Sequence, residues 1–232
     1  MLVERAVDGF LLLNTPADHI EVPVPVVAIS AHSAAENVTN IVLDHHLAVQ
    51  QALMHLYAAG HRRIAFMRGP RAIPDSEYRW ESIQQVAREL GLKVDPNLVI
   101  RIDSAGWSMK DGYHPMAPEI GYLPMQGLLE KTREFTAIFC FNDIAAIGAI
   151  RALKDAGLSV PGDVSVVGFD DIQSAAYSTP SLTTVRQPLT QMGKRGAQVL
   201  LERIANRDKE YSSEIVMTPE LVVRESTGPA KS

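Results

Sequence analysis

The sequence is short of the features that mark several functional classes. It has one cysteine, Cys140, in 232 residues. No internal disulfide can form, which fits a reducing cytoplasm. Lys and Arg number 22 against 27 Asp and Glu, for a net charge of −5, and the longest basic run is Arg62-Arg63. An acidic chain without a basic stripe is a poor nucleic-acid partner on its own, and Arg62-Arg63 reads as a solvated loop rather than a phosphate contact. No apolar stretch is long enough to span a bilayer. The opening MLVERAVDGFLLL lacks the long apolar region and small-residue cleavage site of a secretory signal. Nucleophile-elbow, Walker and dinucleotide-binding motifs are absent.

The reactive residues that are present do not assemble into a catalytic or metal-binding pattern. His45 and His46 are adjacent, and neighbours on a helix point about 100° apart, so both cannot face one metal. Cys140 sits inside the apolar run TAIFCF, where a thiol serves as a small hydrophobe. Asp170 and Asp171 are consecutive, and consecutive residues on an extended chain point to opposite sides. A hydrolytic pair needs two carboxyls in opposed environments at one site. The reading is therefore a protein without catalytic residues, metal or cofactor.

What is there is a βαβ rhythm. Short apolar runs at 7–13, 24–29, 40–43, 63–68, 98–102, 136–141, 164–169, 182–186, 213–217 and 220–224 alternate with helical periods at 45–59, 76–90, 117–133, 143–156 and 189–206. Most runs are continuously apolar, as in parallel strands covered on both faces. Gly60, Gly91 and Gly157 follow helical periods and suit left-handed caps. Helix 143–156 carries Ile144, Ile147, Ile150 and Leu153 as its expected inward stripe, with Asp143 at the expected N-cap. The pattern predicts an α/β doubly wound architecture. The closing GPAKS is expected to be disordered.

Ligands of open parallel sheets bind beyond the carboxyl ends of the strands. After strand 63–68 come Asp75 and Arg79; after 136–141 come Asn142 and Asp143; after 164–169 come Asp170 and Asp171. A guanidinium, a carboxamide and carboxylates together suit a polyhydroxylated or otherwise polar small molecule. Trp107, in the loop after 98–102, reads either as an apolar wall for such a ligand or as a core residue. Arg79 reads equally as a ligand contact or a surface residue of its helix. Asp143 and Asp171 read as cap and turn residues. Asp170, closer to the strand end, is the better ligand candidate.

The segment CFNDIAAIGAIRALKDAGLSVPGDVSVVGFDDIQSAAYSTPSLTTVRQPLTQMG closely resembles the LacI/GalR family of bacterial transcriptional regulators. VDGFLLL, HLYAAGHRRIAFMRGP, SEYRWESI and TPELVVRESTG agree with it in order. The resemblance implies a periplasmic-binding-protein-like class I effector domain, with two α/β subdomains around a ligand cleft. The N-subdomain would hold 1–43 and 188–215, the C-subdomain 44–187 and 216–228, with a disordered tail at 229–232. It implies effector contacts at Asp75, Arg79, Trp107, Asn142 and Asp170. It also implies a cytoplasmic homodimer that meets a small-molecule effector (a sugar, or a nucleoside- or purine-like molecule) and reaches operator DNA only through a headpiece. No DNA-binding residue is expected in this chain. The dimer surface would include helix 143–156 and the loop around Tyr177.

Two departures accompany the resemblance. The family's headpiece and the first strands of its N-subdomain have no counterpart ahead of VDGFLLL, so exposed sheet edges are expected at 7–13 and 24–29. Ser30 and Ser82 stand where the family often has an Asp-like polar residue and a glycine. The alternative within the same fold is a stand-alone sugar receptor of a transport system, disfavoured by the missing secretory signal.

Overall fold

The computed structural model describes residues 7–15, 22–71, 73–102, 117–206 and 209–231. They form two compact units. One comprises the described residues of Met1–Asp44, Ile73–Asp75 and Pro188–Thr218; the other, those of His45–Ala72, Ser76–Gln187 and Pro219–Ser232.

The first unit is built on a parallel sheet in the order β1 (Phe10–Leu13), β2 (Val26–Ile29), β3 (Val38–Leu43) and β9 (Glu214–Met217). The inner strands β2 and β3 are buried throughout; β2 is the continuous apolar run this predicts, while β3 buries Thr39 and Asn40 within it. The outer strands β1 and β9 instead alternate in exposure. Of the two expected sheet edges, only β1 is one: β2 is paired on both sides. Leu11 and Leu13 on that edge are 41% and 61% exposed. Helix α6 (Leu189–Ala205) lays Met192 and Val199 onto Val27, Ile29 and Ile41 of the sheet. The boundary expected at 215 moves to 218, because β9 runs on until Met217 lies opposite Leu43.

The second unit has a six-stranded sheet in the order β10 (Glu220–Val222), β8 (Thr183–Arg186), β7 (Ser165–Asp170), β6 (Ala137–Cys140), β4 (Ile64–Arg68) and β5 (Val99–Arg101). Five strands are parallel and β10 is an antiparallel edge. The expected helices are α1 (His45–Ala58), α2 (Pro74–Glu89), α3 (Glu119–Lys131) and α4 (Asp143–Asp155); a short α5 (Gln173–Tyr177) was not legible in the sequence. Gly60, Gly91 and Gly157 end their helices at φ of 93°, 65° and 78°, as cap glycines do.

Helix α4 departs from its expected stripe. Ile144 and Ile147 are half-buried, while Ala145, Ala146, Gly148, Ala149 and Ala152 are buried with Ile150 and Leu153. The small side chains let α3 come close. A Cβ on Gly121 would lie 1.9 Å from the Ala145 carbonyl oxygen, and one on Gly148 would lie 1.9 Å from that of Pro118. Backbone-to-backbone contact has replaced the isoleucine stripe as the packing surface.

The carboxyl-terminal segment also departs from expectation. The Ala230 N–H donates to the Ala59 carbonyl at 2.8 Å, and Lys231 pairs with Asp163. The buried ring of His61 joins the Thr136 hydroxyl at 2.8 Å and the Gly228 carbonyl at 3.0 Å. Composition marked 229–231 as a frayed tail, yet these backbone groups are tied down, and bonding decides order.

Candidate functional site

In the second sheet the chain runs from β4 to β5 on one side and then returns to β6 on the other. The carboxyl ends of β4 and β6 therefore form a topological switch point, where open α/β sheets bind ligands. β7 and β8 follow β6 in the sheet, so four neighbouring strand ends share this rim.

Arg79 comes from α2, after β4. It is 4% exposed, and its guanidinium lies 3.4 Å from the Phe169 ring centroid and 4.9 Å from that of Phe141. Its Nη1 donates to the Phe141 carbonyl, at the end of β6. A cation held between aromatic faces is fixed in direction. The neighbouring Gly69 has no room for a side chain: a Cβ would lie 2.3 Å from both the Phe141 ring and the Ser76 hydroxyl. The sequence left Arg79 open between ligand contact and surface residue. The fold excludes the surface.

The cap role expected of Asp143 falls to Asn142. Asn142 is the N-cap of α4, accepting from the Ala145 N–H at 2.9 Å. Asp143, in the first turn, is fully buried. It accepts from the Thr184 hydroxyl at 2.5 Å and from the Ile172 N–H at 2.8 Å. This carboxyl ties the start of α4 to β8 and to the loop after β7. Gly168 makes space for it, since a Cβ there would meet Asp143 Oδ1 at 2.2 Å. Burial raises the Asp143 pKa from 3.8 to about 7; the two hydrogen bonds oppose the rise, and Asp170 and Asp171 add to it. The folded chain thus holds this proton more tightly than the unfolded chain. Its contribution to stability is full below pH 4 and is lost as the pH climbs to 7, on the order of 4 kcal/mol at the upper limit. Urea unfolding of wild type and Asp143→Asn between pH 4 and 7 should show the wild type losing stability relative to the variant as pH rises. Parallel curves would mean that Asp143 does not titrate in this window.

Asp170 ends β7 with φ at 111°, and Asp171 follows at 56°. A non-glycine residue at such a φ is strained, by about 1–3 kcal/mol, and persists only where its surroundings hold it. The surroundings are visible here. Gln187 Nε2 donates to Asp170 Oδ1 at 2.6 Å. Asp171 receives Arg224 at 2.6 Å and Arg186 at 2.7 Å. Burial works against ionisation of Asp171, but the two arginines hold its carboxyl below the usual range. Asp171 thus clamps the turn and Asp170 is presented by it. Gln187, at the end of β8, was not singled out by sequence; its carbonyl oxygen is buried without a hydrogen-bond partner among the described residues. Extending the strand-end argument from three strands to the fourth would have found it.

Asp75 belongs to the first unit. It is 6% exposed, and Oδ1 lies 3.2 Å from Nε2 of His32, which no local sequence pattern marks. Trp107 lies outside the described residues. The second unit thus gathers Arg79, Asn142 and Asp170 on the ends of adjacent strands. The histidines diverge as helix geometry requires: His45 is buried 6.3 Å from the Phe169 ring centroid, and the half-exposed His46 sits 3.7 Å from Glu89.

Residues 53–227 match the family model described as a periplasmic binding protein-like domain. The chain belongs to this family. Among curated relatives, the HTH-type transcriptional repressor PurR of Haemophilus influenzae (strain ATCC 51907 / DSM 11121 / KW20 / Rd) is 32% identical over 97% of this chain and 66% of its own length. The HTH-type transcriptional repressor CytR of Escherichia coli (strain K12) is 32% identical over 98% of this chain and 64% of its own. The chain therefore spans slightly less than two thirds of these repressors. Among solved structures, a transcriptional regulator CelR–cellobiose complex superimposes with a TM-score of 0.82 at 30% identity, covering 97% of this chain and 67% of that one. A LacI family transcriptional regulator from Enterococcus faecium with bound ribose gives 0.80 at 26% identity, covering 99% and 83%. The expected LacI-type relationship and α/β fold both stand. Among the described residues, no helix is long and apolar enough to cross a membrane.

Proposed function

We propose that this chain is the effector-sensing part of a LacI-type transcriptional repressor, and that its effector is a small polyhydroxylated molecule, a sugar or a nucleoside. The observation that carries this reading is Asp170, held at φ 111° on a strand end with its carboxylate bonded to Gln187. A strained acid braced in this way suits acceptance of ligand hydroxyls. The Gln187 side-chain oxygen, unpartnered among the described residues, offers a second acceptor; Asn142 follows the adjoining strand β6, and Arg79 of α2 reaches that strand end through the Phe141 carbonyl. The regulators solved with cellobiose and ribose bind ligands of this class.

Function here is a binding equilibrium rather than turnover. An effector that binds one conformation better shifts the population towards it, by no more than its difference in affinity. In this reading the protein is a cytoplasmic homodimer whose interface includes α4 and the loop at Tyr177, which is 78% exposed. Operator recognition is assigned to a helix-turn-helix headpiece and not to residues 1–232. Contacts from Asp75 and Trp107 complete the proposed effector set.

Thermal melts of the chain with cellobiose, ribose, adenosine, cytidine and hypoxanthine test the reading. A ligand at 100 times its dissociation constant adds roughly 2.7 kcal/mol to the folded state. A selective rise with one compound identifies the class. A cooperative melt that neither the sugars nor the nucleosides shift, or a rise with hypoxanthine alone, would sink the polyol-or-nucleoside assignment.

A further inference from the structure

A second feature lies in the first unit and shares no residue with the site above. A cavity of about 240 Å³ opens among the segment entering β2, the turn before β3 and the end of α6. Its walls include Pro23, Pro25, Asn37, Arg203, Lys209 and Tyr211. The frame is built rather than incidental. The Asn37 amide donates to the Val22 carbonyl at 2.7 Å. Arg203 donates through Nη2 to the Asn37 carbonyl at 2.9 Å and through Nη1 to the Thr39 hydroxyl at 2.6 Å. The Tyr211 hydroxyl is tied to the Glu202 carbonyl at 2.8 Å.

Two cations stand in this frame. Arg203 and Lys209 flank one ring, at 5.5 Å and 5.4 Å from the Tyr211 centroid. Neither cation has a carboxylate partner among the described residues, in a chain whose net charge is −5. The nearest acid along α6, Glu202, turns instead to Arg195 at 3.7 Å. Arg203 uses two N–H groups on the protein, and a guanidinium has five. The remaining three are the donors that a planar or tetrahedral oxyanion takes in pairs. Burial works against the Arg203 charge, and a bound anion would offset that cost. Tyr211, Pro23 and Pro25 add flat apolar surface beside the charges.

We infer that this pocket is a second ligand site, taking a small phosphate- or carboxylate-bearing metabolite with a flat apolar part against Tyr211. Isothermal titration calorimetry of the full chain in low-salt buffer, with inorganic phosphate, phenyl phosphate and benzoate, tests it. Saturable one-site binding is expected, tighter for phenyl phosphate than for inorganic phosphate. Lys209→Gln should weaken it about fivefold, as an exposed charge contact does. Arg203→Lys, which keeps the charge but loses the fork, should weaken it about tenfold. Binding of benzoate above phenyl phosphate, with the same response to the variants, assigns the site to a carboxylate. No saturable binding of any of the three overturns the inference. So does binding that Lys209→Gln leaves unchanged, a variant that removes no hydrogen bond from the frame and stays informative if Arg203→Lys fails to fold.

Discussion

Replacing Asp170 by Asn should weaken effector binding about 30-fold while leaving the melting temperature nearly unchanged. The carboxylate is the feature proposed to accept ligand hydroxyls, and a hydrogen bond to a charged group is worth about 1.5–3 kcal/mol. Asparagine keeps an acceptor for Gln187 and tolerates a positive φ better than most residues. Asp170→Ala is the harsher companion: it keeps the strain, strands Gln187, and should abolish binding and cost about 1–3 kcal/mol. Calorimetric titration paired with thermal melts separates the two effects. Full affinity in Asp170→Asn would remove the charge of Asp170 from the site. Arg79 makes a poorer test than its position in the sequence suggests. It is buried between rings and holds the end of β6, so its truncation would damage fold and site together.

Gly148→Ala should destabilise the second unit by about 3 kcal/mol or more, although it adds one methyl group to a helix. The new Cβ would fall 1.9 Å from the Pro118 carbonyl oxygen and 2.8 Å from the Tyr122 nitrogen, both backbone atoms. Side chains yield by changing rotamer; two packed backbones must move apart, and overpacking of this kind commonly costs 1–3 kcal/mol or more, about 3 here where only backbone faces the intruder. Gly127→Ala in the partner helix is the control. Nothing lies within 4 Å of its Cβ, so the ordinary helical preference for alanine should stabilise by about 0.5–1 kcal/mol. Urea unfolding of both variants checks the pair. Similar small effects from each would mean that α3 and α4 are less closely packed than described.

Strand existence was legible because burial on both faces writes itself as uninterrupted apolar runs; β2, β6 and most of β4 and β7 are of this kind, whereas the buried Thr39 and Asn40 cut the readable part of β3 short. Edge strands were legible as strands but not as edges, since β1 carries the same leucines as a buried strand and pairing partners are not encoded locally. The α4 surface was misread for a related reason. Large residues at helical spacing suggested the core, whereas the deciding quantity was how close α3 could approach, which favours the small ones. Arg79, Asn142 and Asp170 could be picked from strand ends alone. The buried proton-binding role of Asp143 and the clamp on Asp171 depend on partners 15 to 53 residues away, beyond the reach of any local pattern, whereas the cap at Asn142 reaches only Ala145 and was open to local reading. Gln187 was readable and simply lay one strand further along the rim.

The way the sheets are closed has a consequence for synthesis on the ribosome. Thr39 and Asn40 of β3 bond to Ser212 and Ser213, 173 positions later. In the second unit Val166 donates to the Ser226 carbonyl, and the Ser226 hydroxyl returns a bond to Val166. Neither unit holds all its described strands until the segment carrying β9 and β10 has emerged. Contacts so distant in sequence form late, and unfinished sheets with open edges are the species that aggregate or need chaperones. A nascent chain stalled short of Ser212 would hold two incomplete sheets, so the segment carrying β9, β10 and Ser226 acts as a latch that closes each sheet late.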